Sequence, residues 1–149
     1  MGTGSITSPA GAYKPKPTAK GTGYFGFVSK YIKGKVAPQG CAEFYYTGGD
    51  FTFYSTSYDW LVVNGATAEF KGSGKINGKG NYAFLISATD GELAGRHVPD
   101  TFRIRIWNKT TGERVYDNLL DAPDNANPTT TLKYGLISIQ KYDDHDDRR

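Results

Sequence analysis

Alternation of apolar and polar residues is the feature that most constrains how this chain can fold. Every second residue of Tyr82–Ala88 is apolar, and the same alternation recurs along Phe102–Ile106. Successive side chains of a β-strand point to opposite faces, so a period of two predicts strands with one buried face. The period of 3.6 residues that indicates an amphipathic helix is not found. The sequence therefore predicts an all-β protein.

Short turn signals separate the alternating segments. Asn64–Gly65 and Asn77–Gly78 are dipeptides that favour two-residue hairpin turns, and Gly48–Asp50 supplies another tight turn. Residues 42–46 and 51–55 are therefore expected to pair as a hairpin. Because turns recur about every 8–12 residues, we expect an antiparallel β-sandwich or jelly-roll-like fold with roughly nine or ten short strands.

The chain has 149 residues and shows no internal repeat, which indicates one domain. Residues 1–18 are rich in Gly and Pro, and they predict an extended segment with one short strand around Ser5–Thr7. Residues 19–142 are expected to form the β-sandwich module, and residues 143–149 a polar acidic tail. Neither a signal peptide nor a run of about 18 apolar residues is present, so membrane insertion is not expected.

Charge is distributed unevenly along the chain. Residues 1–40 carry six lysines and no acid, which leaves a net charge of −3 on the remaining residues of a chain whose formal charge is +3. A basic leading segment beside an acidic body favours head-to-tail association of copies, although a solvated lysine-rich segment explains the same pattern. The leading segment contains no arginine, so a nucleic-acid partner is not expected.

Residues with catalytic potential are scarce. Cys41 is the single cysteine, which excludes an internal disulfide, and His97 and His145 stand in neither metal-ligand nor triad spacing. Ser73 lies between Gly72 and Gly74, but a nucleophile elbow needs a glycine two residues away on each side. Nothing marks a pair of carboxylates suited to glycoside hydrolysis. We therefore expect a protein that is not an enzyme.

An acidic loop at residues 117–128 is the candidate metal site. It gathers oxygen donors from Asp117, Asn118, Asp121 and Asp124. Calcium binds six to eight oxygens from carboxylates, amides and carbonyls, so calcium is the cofactor that this loop would hold. The spacing does not match a helix–loop–helix calcium motif, and a surface loop made polar because Asp and Asn form turns explains it equally.

Several aromatic residues fall on the polar side of their strands or in loops: Tyr24, Tyr45, Tyr54, Tyr58 and Trp107. Tyr54, Tyr58 and Trp107, with Arg103 and Arg105 beside the tryptophan, are the candidate ligand-binding residues. Such a set suits a platform for sugar rings, which present apolar faces and hydroxyl rims. It suits a protein interface as well, where Tyr, Trp and Arg are favoured. Cross-strand aromatic pairing that stabilises a sheet face is the structural alternative.

Four segments carry a resemblance to a known family. They are GSGKINGKGNYAFLISATDGELAG (Gly72–Gly95), DTFRIRIWNKTTGERVYDN (Asp100–Asn118), GYFGFVSKY (residues 23–31) and STSYDWLVV (residues 55–63). Their order resembles the post-COAP type domain of bacterial secreted and cell-surface multi-domain proteins. The resemblance implies a secreted, noncatalytic β module, and it implies that a chain without a signal peptide is a fragment or a mature form. It transfers no functional residue.

Taken together, these features predict a noncatalytic extracellular module with a structural or adhesive role. Its partners would be copies of itself or neighbouring surface modules. In the self-assembling version, residues 1–18 add a strand to the open sheet edge of a neighbour. The alternative is a carbohydrate-binding module that holds glycans on its exposed aromatic residues.

Overall fold

The computed structural model describes residues 1–140 and consists of one antiparallel sheet of nine strands with the order β8-β7-β6-β5-β4-β3-β2-β1-β9. The strands are β1 Gly2–Ser8, β2 Gly21–Lys30, β3 Gln39–Tyr46, β4 Phe51–Asn64, β5 Thr67–Ile76, β6 Lys79–Thr89, β7 Thr101–Asn108, β8 Arg114–Asp117 and β9 Tyr134–Ile137. A single helical turn, α1 (Gly91–Ala94), lies between β6 and β7. The prediction of an antiparallel all-β fold with about nine strands is confirmed.

The two layers expected of a sandwich come from one sheet that curls into a half-barrel. Each strand from β1 to β7 pairs with the next along the chain, and β9 returns to pair with β1. Phe25 of β2 and Phe102 of β7 stack with their ring centroids 3.9 Å apart, although four strands separate β2 from β7. The curl therefore brings distant strands of a continuous sheet face to face.

The core fills the concave face of this curled sheet. Alternate residues of each strand point inward and are buried, as the period of two predicts. Aromatic rings dominate: Phe44 packs on Tyr116 with centroids 4.8 Å apart, and Phe53 packs edge-on against Phe84 at 5.3 Å. Such ring pairs contribute about 0.5–1.5 kcal/mol each beyond the area they bury. Other fully buried residues are Ile6, Tyr46, Phe70, Ile104, Ile106 and Ile137.

The N-terminal strand is an interior strand of the sheet. Gly2–Ser8 pairs along its whole length with β2, and Gly2–Ser5 also pairs with β9. Both edges of β1 are therefore occupied within its own chain, and the expected boundary after residue 18 is not a structural one. This corrects the interpretation of residues 1–18 as a separate segment with a strand free for a neighbour.

The outer edge of β8 is covered by residues that follow β1. The amide of Lys14 donates to the carbonyl of Val115 at 3.0 Å, and the amide of Asp117 donates to the carbonyl of Ala12 at 3.0 Å. These bonds satisfy backbone groups that an edge strand would otherwise leave open. The segment that follows β1 thus connects β1, near one end of the strand order, with β8 at the other end.

The outer edge of β9 is capped by carboxylates from the connection between β6 and β7. Asp100 accepts hydrogen bonds from the amides of Ile137 and Gly91, both at 2.7 Å. Asp90 accepts from the amide of Ile139 at 3.0 Å. Strand β9 ends at Ile137, and residues 141–149, which include the predicted tail 143–149, lie outside the described part of the chain.

Strand β4 joins two segments that the sequence pattern keeps apart, residues 51–55 and the apolar run at 59–63. Its pairing with β5 shifts register between Ser55 and Ser57 and again between Tyr58 and Trp60. The bulged backbone approaches β5 so closely that a Cβ at Gly72 would lie 2.1 Å from the carbonyl oxygen of Ser57.

Candidate functional site

Arg103, expected on an exposed sugar-binding face, is buried and only 1% exposed. Its guanidinium forms a bidentate pair with Asp117, with Nε 3.0 Å from Oδ1 and Nη2 2.9 Å from Oδ2. It also donates to the carbonyls of Leu119, Ala122 and Pro123. The loop that follows β8 folds over this arginine, so a position on the polar side of β7 is closed to solvent. Arg103 therefore anchors a loop, which corrects its assignment as a ligand-binding residue.

Trp107 is half-buried on the outer face of the sheet, where its ring already has partners. The guanidinium carbon of Arg105 lies 4.7 Å from the ring centroid and Nζ of Lys71 lies 5.6 Å from it. Arg105 is held in turn by Asp124, at 3.0 Å. Cations placed over an indole ring are attracted by its quadrupole. Trp107 and Arg105 therefore form an intramolecular cation–π cluster rather than a vacant stacking platform.

The side-chain oxygens of the acidic loop form ion pairs and hydrogen bonds within the protein. Asp117 and Asp124 pair with the two arginines of β7, and the Asn118 amide accepts from the Ile104 amide at 2.8 Å. Asp121 is exposed and adopts a left-handed backbone with φ of 62°. Among residues 1–140, no three His, Cys, Asp or Glu side chains form a group that could hold a metal ion.

Tyr58 belongs to the core and is 7% exposed. Its ring packs edge-on against Phe70 and Phe84, and its hydroxyl donates to the carbonyl of Val28 at 2.7 Å. Burial raises the pKa of the Tyr58 phenol above its ordinary value. Because the register shift in β4 turns this position inward, the expectation that Tyr58 binds a ligand is wrong.

Tyr54, in contrast, lies on an exposed aromatic surface formed by β9 and β1–β4. Of the fourteen large apolar side chains that are exposed within residues 1–140, seven lie on this outer face. They are Met1, Tyr24, Val28, Tyr45, Tyr54, Tyr134 and Leu136. We call this surface the tyrosine groove. Contiguous exposed apolar surface of this kind marks a site of interaction.

Two rows of residues that run across five strands build the tyrosine groove. The first row is Leu136, Thr3, Gly26, Glu43 and Tyr54, and the second is Tyr134, Ser5, Tyr24, Tyr45 and Thr52. Adjacent strands lie about 4.8 Å apart, so each row extends over roughly 19 Å. Thr3 and Gly26 of the first row and Ser5 of the second form the floor, and the four tyrosines of the two rows surround it.

Gly26 opens the deepest part of the groove. A Cβ built at Gly26 would meet its nearest atom, Oε1 of Glu43, only at 3.8 Å, so a side chain there would have room. Two adjoining depressions share Thr3, Glu43 and Tyr54 in their linings, and each has a volume of about 470 Å³. Ligand sites commonly have volumes of about 300–1,000 Å³.

The rings on the β2–β3 side are fixed by contacts within the groove. Tyr24 and Tyr45 stack with centroids 6.3 Å apart and planes 16° apart, and the Tyr45 hydroxyl donates to Oδ1 of Asp50 at 3.3 Å. Desolvation and the Asp50 charge both raise the pKa of Tyr45. The phenol therefore stays protonated, and its ring keeps one orientation beside the groove floor.

Sequence reasoning identified part of this surface. The period of two puts Tyr24, Tyr45 and Tyr54 on the polar faces of their strands, and all three are exposed. Tyr134 and Leu136 were not predicted, because β9 joins the groove only through its pairing with β1. The paired residues Gly2 and Ile137 are more than 130 positions apart in the sequence. Exposed apolar residues alternating in β9 are the signal that could have found them.

No family model matches this sequence, and neither the curated proteins nor the solved structures compared with it include a significant match. Within residues 1–140, no helix has the length and apolar character needed to cross a membrane. The side chains that line the tyrosine groove therefore indicate what it can bind.

Proposed function

We propose that the protein is a noncatalytic adhesive module that binds neutral carbohydrate in the tyrosine groove. The observation that carries this proposal is the set of exposed tyrosines beside a floor where Gly26 leaves space for a ligand. An extracellular location, as part of a larger surface protein, accords with the resemblance to the post-COAP type domain.

The groove offers the two kinds of contact that a sugar ring needs. Rings of Tyr54 and Tyr134 present flat apolar surfaces, on which the C–H face of a pyranose can pack. Thr3, Thr52 and Glu43 line the same depressions and supply hydroxyl and carboxylate groups for sugar hydroxyls. A floor of about 19 Å across five strands has room for several linked sugars.

The charge of the groove favours a neutral ligand that is bound without being cleaved. Among residues 1–140, Glu43 is the one carboxylate that lines the two depressions, and no lysine, arginine or histidine lines either of them. An anionic polysaccharide would be repelled by this carboxylate. Glycoside hydrolysis commonly uses two carboxyl groups on opposite sides of the scissile bond, so a single one supports binding.

Association between copies of the protein is the second candidate, because tyrosines are enriched in protein interfaces and Leu136 and Met1 extend the groove with apolar side chains. This candidate places the contact in the groove. Addition of a strand receives no support, because β1 is paired on both edges and the amide of Ile137 in β9 is capped by Asp100.

Affinity electrophoresis in gels containing β-glucan, xylan, mannan or soluble chitin derivatives tests the proposal. We expect retardation by at least one of these polysaccharides. Gly26→Val should abolish it, because the added side chain fills the depression without a backbone clash, and Tyr54→Ala should weaken binding by about tenfold or more, a loss of ~1.4 kcal/mol. Trp107→Ala is the matched control and should leave the retardation unchanged.

Two results would contradict carbohydrate binding. One is a lack of retardation in every gel, and the other is an equal loss in the Trp107→Ala control. Sedimentation equilibrium of the same variants addresses the second candidate: a concentration-dependent mass that Gly26→Val abolishes would identify the groove as an interface between copies.

A further inference from the structure

In the described part of the chain, the seven exposed large apolar side chains outside the tyrosine groove all lie at one end of the sheet. They are Tyr31, Ile32, Val36, Val62, Val63, Leu93 and Val98. Because consecutive strands of this sheet run antiparallel, the connections β2–β3 (31–38), β4–β5 (65–66) and β6–β7 (90–100) emerge at the same end. We call this the apolar end. The connections at the opposite end carry none of the fourteen exposed large apolar side chains.

Hydrogen bonds hold the three connections of the apolar end together. The Tyr31 hydroxyl donates to the carbonyl of Leu61 at 3.0 Å and accepts from the amide of Leu61 at 3.1 Å. The amide of Asp90 donates to the carbonyl of Ala66 at 2.8 Å. The apolar side chains are therefore presented together on a joined set of loops.

Cations alternate with apolar residues at this end. Lys33 and Lys35 stand next to Ile32 and Val36 in the β2–β3 connection, which contains no acid, and Val36 is 99% exposed. Lys30 ends β2 immediately before the connection, and Arg96 lies in the β6–β7 connection.

The acids of these three connections all lie in the β6–β7 connection. Glu92 is exposed, and Asp90 and Asp100 accept backbone hydrogen bonds from residues near the end of β9. The positive charge of the apolar end is therefore concentrated in the β2–β3 connection, where aliphatic side chains protrude beside lysines and no acid is present.

This composition fits a lipid surface better than a protein partner. Protein interfaces are enriched in Tyr, Trp and Arg and depleted in Lys, and Leu and Val are under-represented among the residues that dominate binding. The apolar end has aliphatic side chains flanked by lysines instead. Aliphatic groups partition into the boundary between headgroups and acyl chains, while lysines reach the phosphates of anionic lipids.

We propose that the apolar end docks on the surface of an anionic phospholipid bilayer. Ile32, Val36 and Val62 enter the interfacial layer, and Lys33 and Lys35 contact headgroup phosphates. The chain remains peripheral, and the tyrosine groove on the outer face of β1–β4 stays open to solvent. This docking is independent of any carbohydrate ligand.

Co-sedimentation with phosphatidylcholine vesicles, with and without phosphatidylglycerol, tests the proposal. We expect binding to the anionic vesicles that falls as salt is added, because a lysine near an anionic membrane is worth about fivefold in affinity. Lys33→Gln/Lys35→Gln should weaken binding by roughly twentyfold or more. Ile32→Ser/Val36→Ser should weaken it by at least tenfold at unchanged net charge.

The matched control is Lys16→Gln/Lys20→Gln, which removes the same charge from exposed positions at the opposite end. We expect this control to bind within about threefold of the parent protein. No binding to anionic vesicles, equal binding to neutral ones, or equal losses in the control and the Lys33/Lys35 variant would each overturn the proposal. Circular dichroism of every variant confirms that the sheet is retained.

Discussion

The buried pair between Arg103 and Asp117 provides the sharpest test of how the outer loop is held. The side chains of Arg103 and Asp117 are 2% and 5% exposed, and the guanidinium has three backbone carbonyl partners besides the carboxylate. Asp117→Ala would leave Arg103 as a buried cation, because its Nε and Nη2 donors would lose their carboxylate acceptor. Removing one member of a buried ion pair costs about 3–5 kcal/mol, because the remaining charge stays desolvated.

The pair between Arg105 and Asp124 is the internal control for this measurement. Its shortest distance is similar, with Nη1 3.0 Å from Oδ1, but only one guanidinium nitrogen takes part and the side chains are 29% and 57% exposed. Exposed pairs contribute about 0–1 kcal/mol, since water screens the charges and side-chain entropy opposes the contact. Asp124→Ala should therefore be several-fold less destabilising than Asp117→Ala.

Urea unfolding followed by circular dichroism measures both variants. We expect a lower midpoint for Asp117→Ala at an unchanged m-value, and an intermediate shift for Asp117→Asn, whose amide oxygen can still accept from Nε of Arg103. In thermal unfolding, a loss of 3–5 kcal/mol corresponds to a fall of roughly 6–20 °C for a domain of this size. Equal shifts for Asp117→Ala and Asp124→Ala would refute the assignment of Arg103 as the anchor of the loop.

Two further predictions concern pH and the edge of the sheet. Burial raises the pKa of the Tyr58 and Tyr116 phenols above the ordinary value near 10, so the stability they contribute is present below pH 10 and is lost as the pH rises through the folded-state pKa. A titration at 295 nm should therefore show at least two of the eleven tyrosines ionising late, with unfolding, and their ionisation near pH 10 in the folded protein would contradict this. Asp100→Ala should cost about 2–4 kcal/mol, because the amides of Gly91 and Ile137 both lose their acceptor. Hydrogen exchange should become faster at Ile137, and unchanged protection there would count against the capping role.

The strand pattern was predictable because it depends on the local alternation of apolar and polar residues. Phe84 and Ile86 point inward with Phe102 and Ile104 opposite them in the neighbouring strand, as the period of two requires. The turn at Asn64–Gly65 likewise follows from local backbone preferences, with Gly65 at a φ of 61°.

Positions that depend on distant segments could not be predicted from that pattern. Arg103 stands on the polar side of β7, and only the path of the loop after β8 buries it. Tyr58 turns inward because β4 shifts register against β5, which the alternation of β4 alone does not reveal. Tyr134 joins the groove because β9 pairs with the first strand of the chain. In all three cases the deciding contact is non-local.

The adjacency of β1 and β9 has a mechanical consequence. Gly2 lies opposite Ile137 in an antiparallel pair, whose hydrogen bonds run perpendicular to the strands. A tension applied between these two residues would pull along the bonds and load them one at a time, so the pair would unzip rather than shear. A tether attached at both places would therefore yield first at this seam, where the amide of Ser138 donates to the carbonyl of Met1 at 2.8 Å.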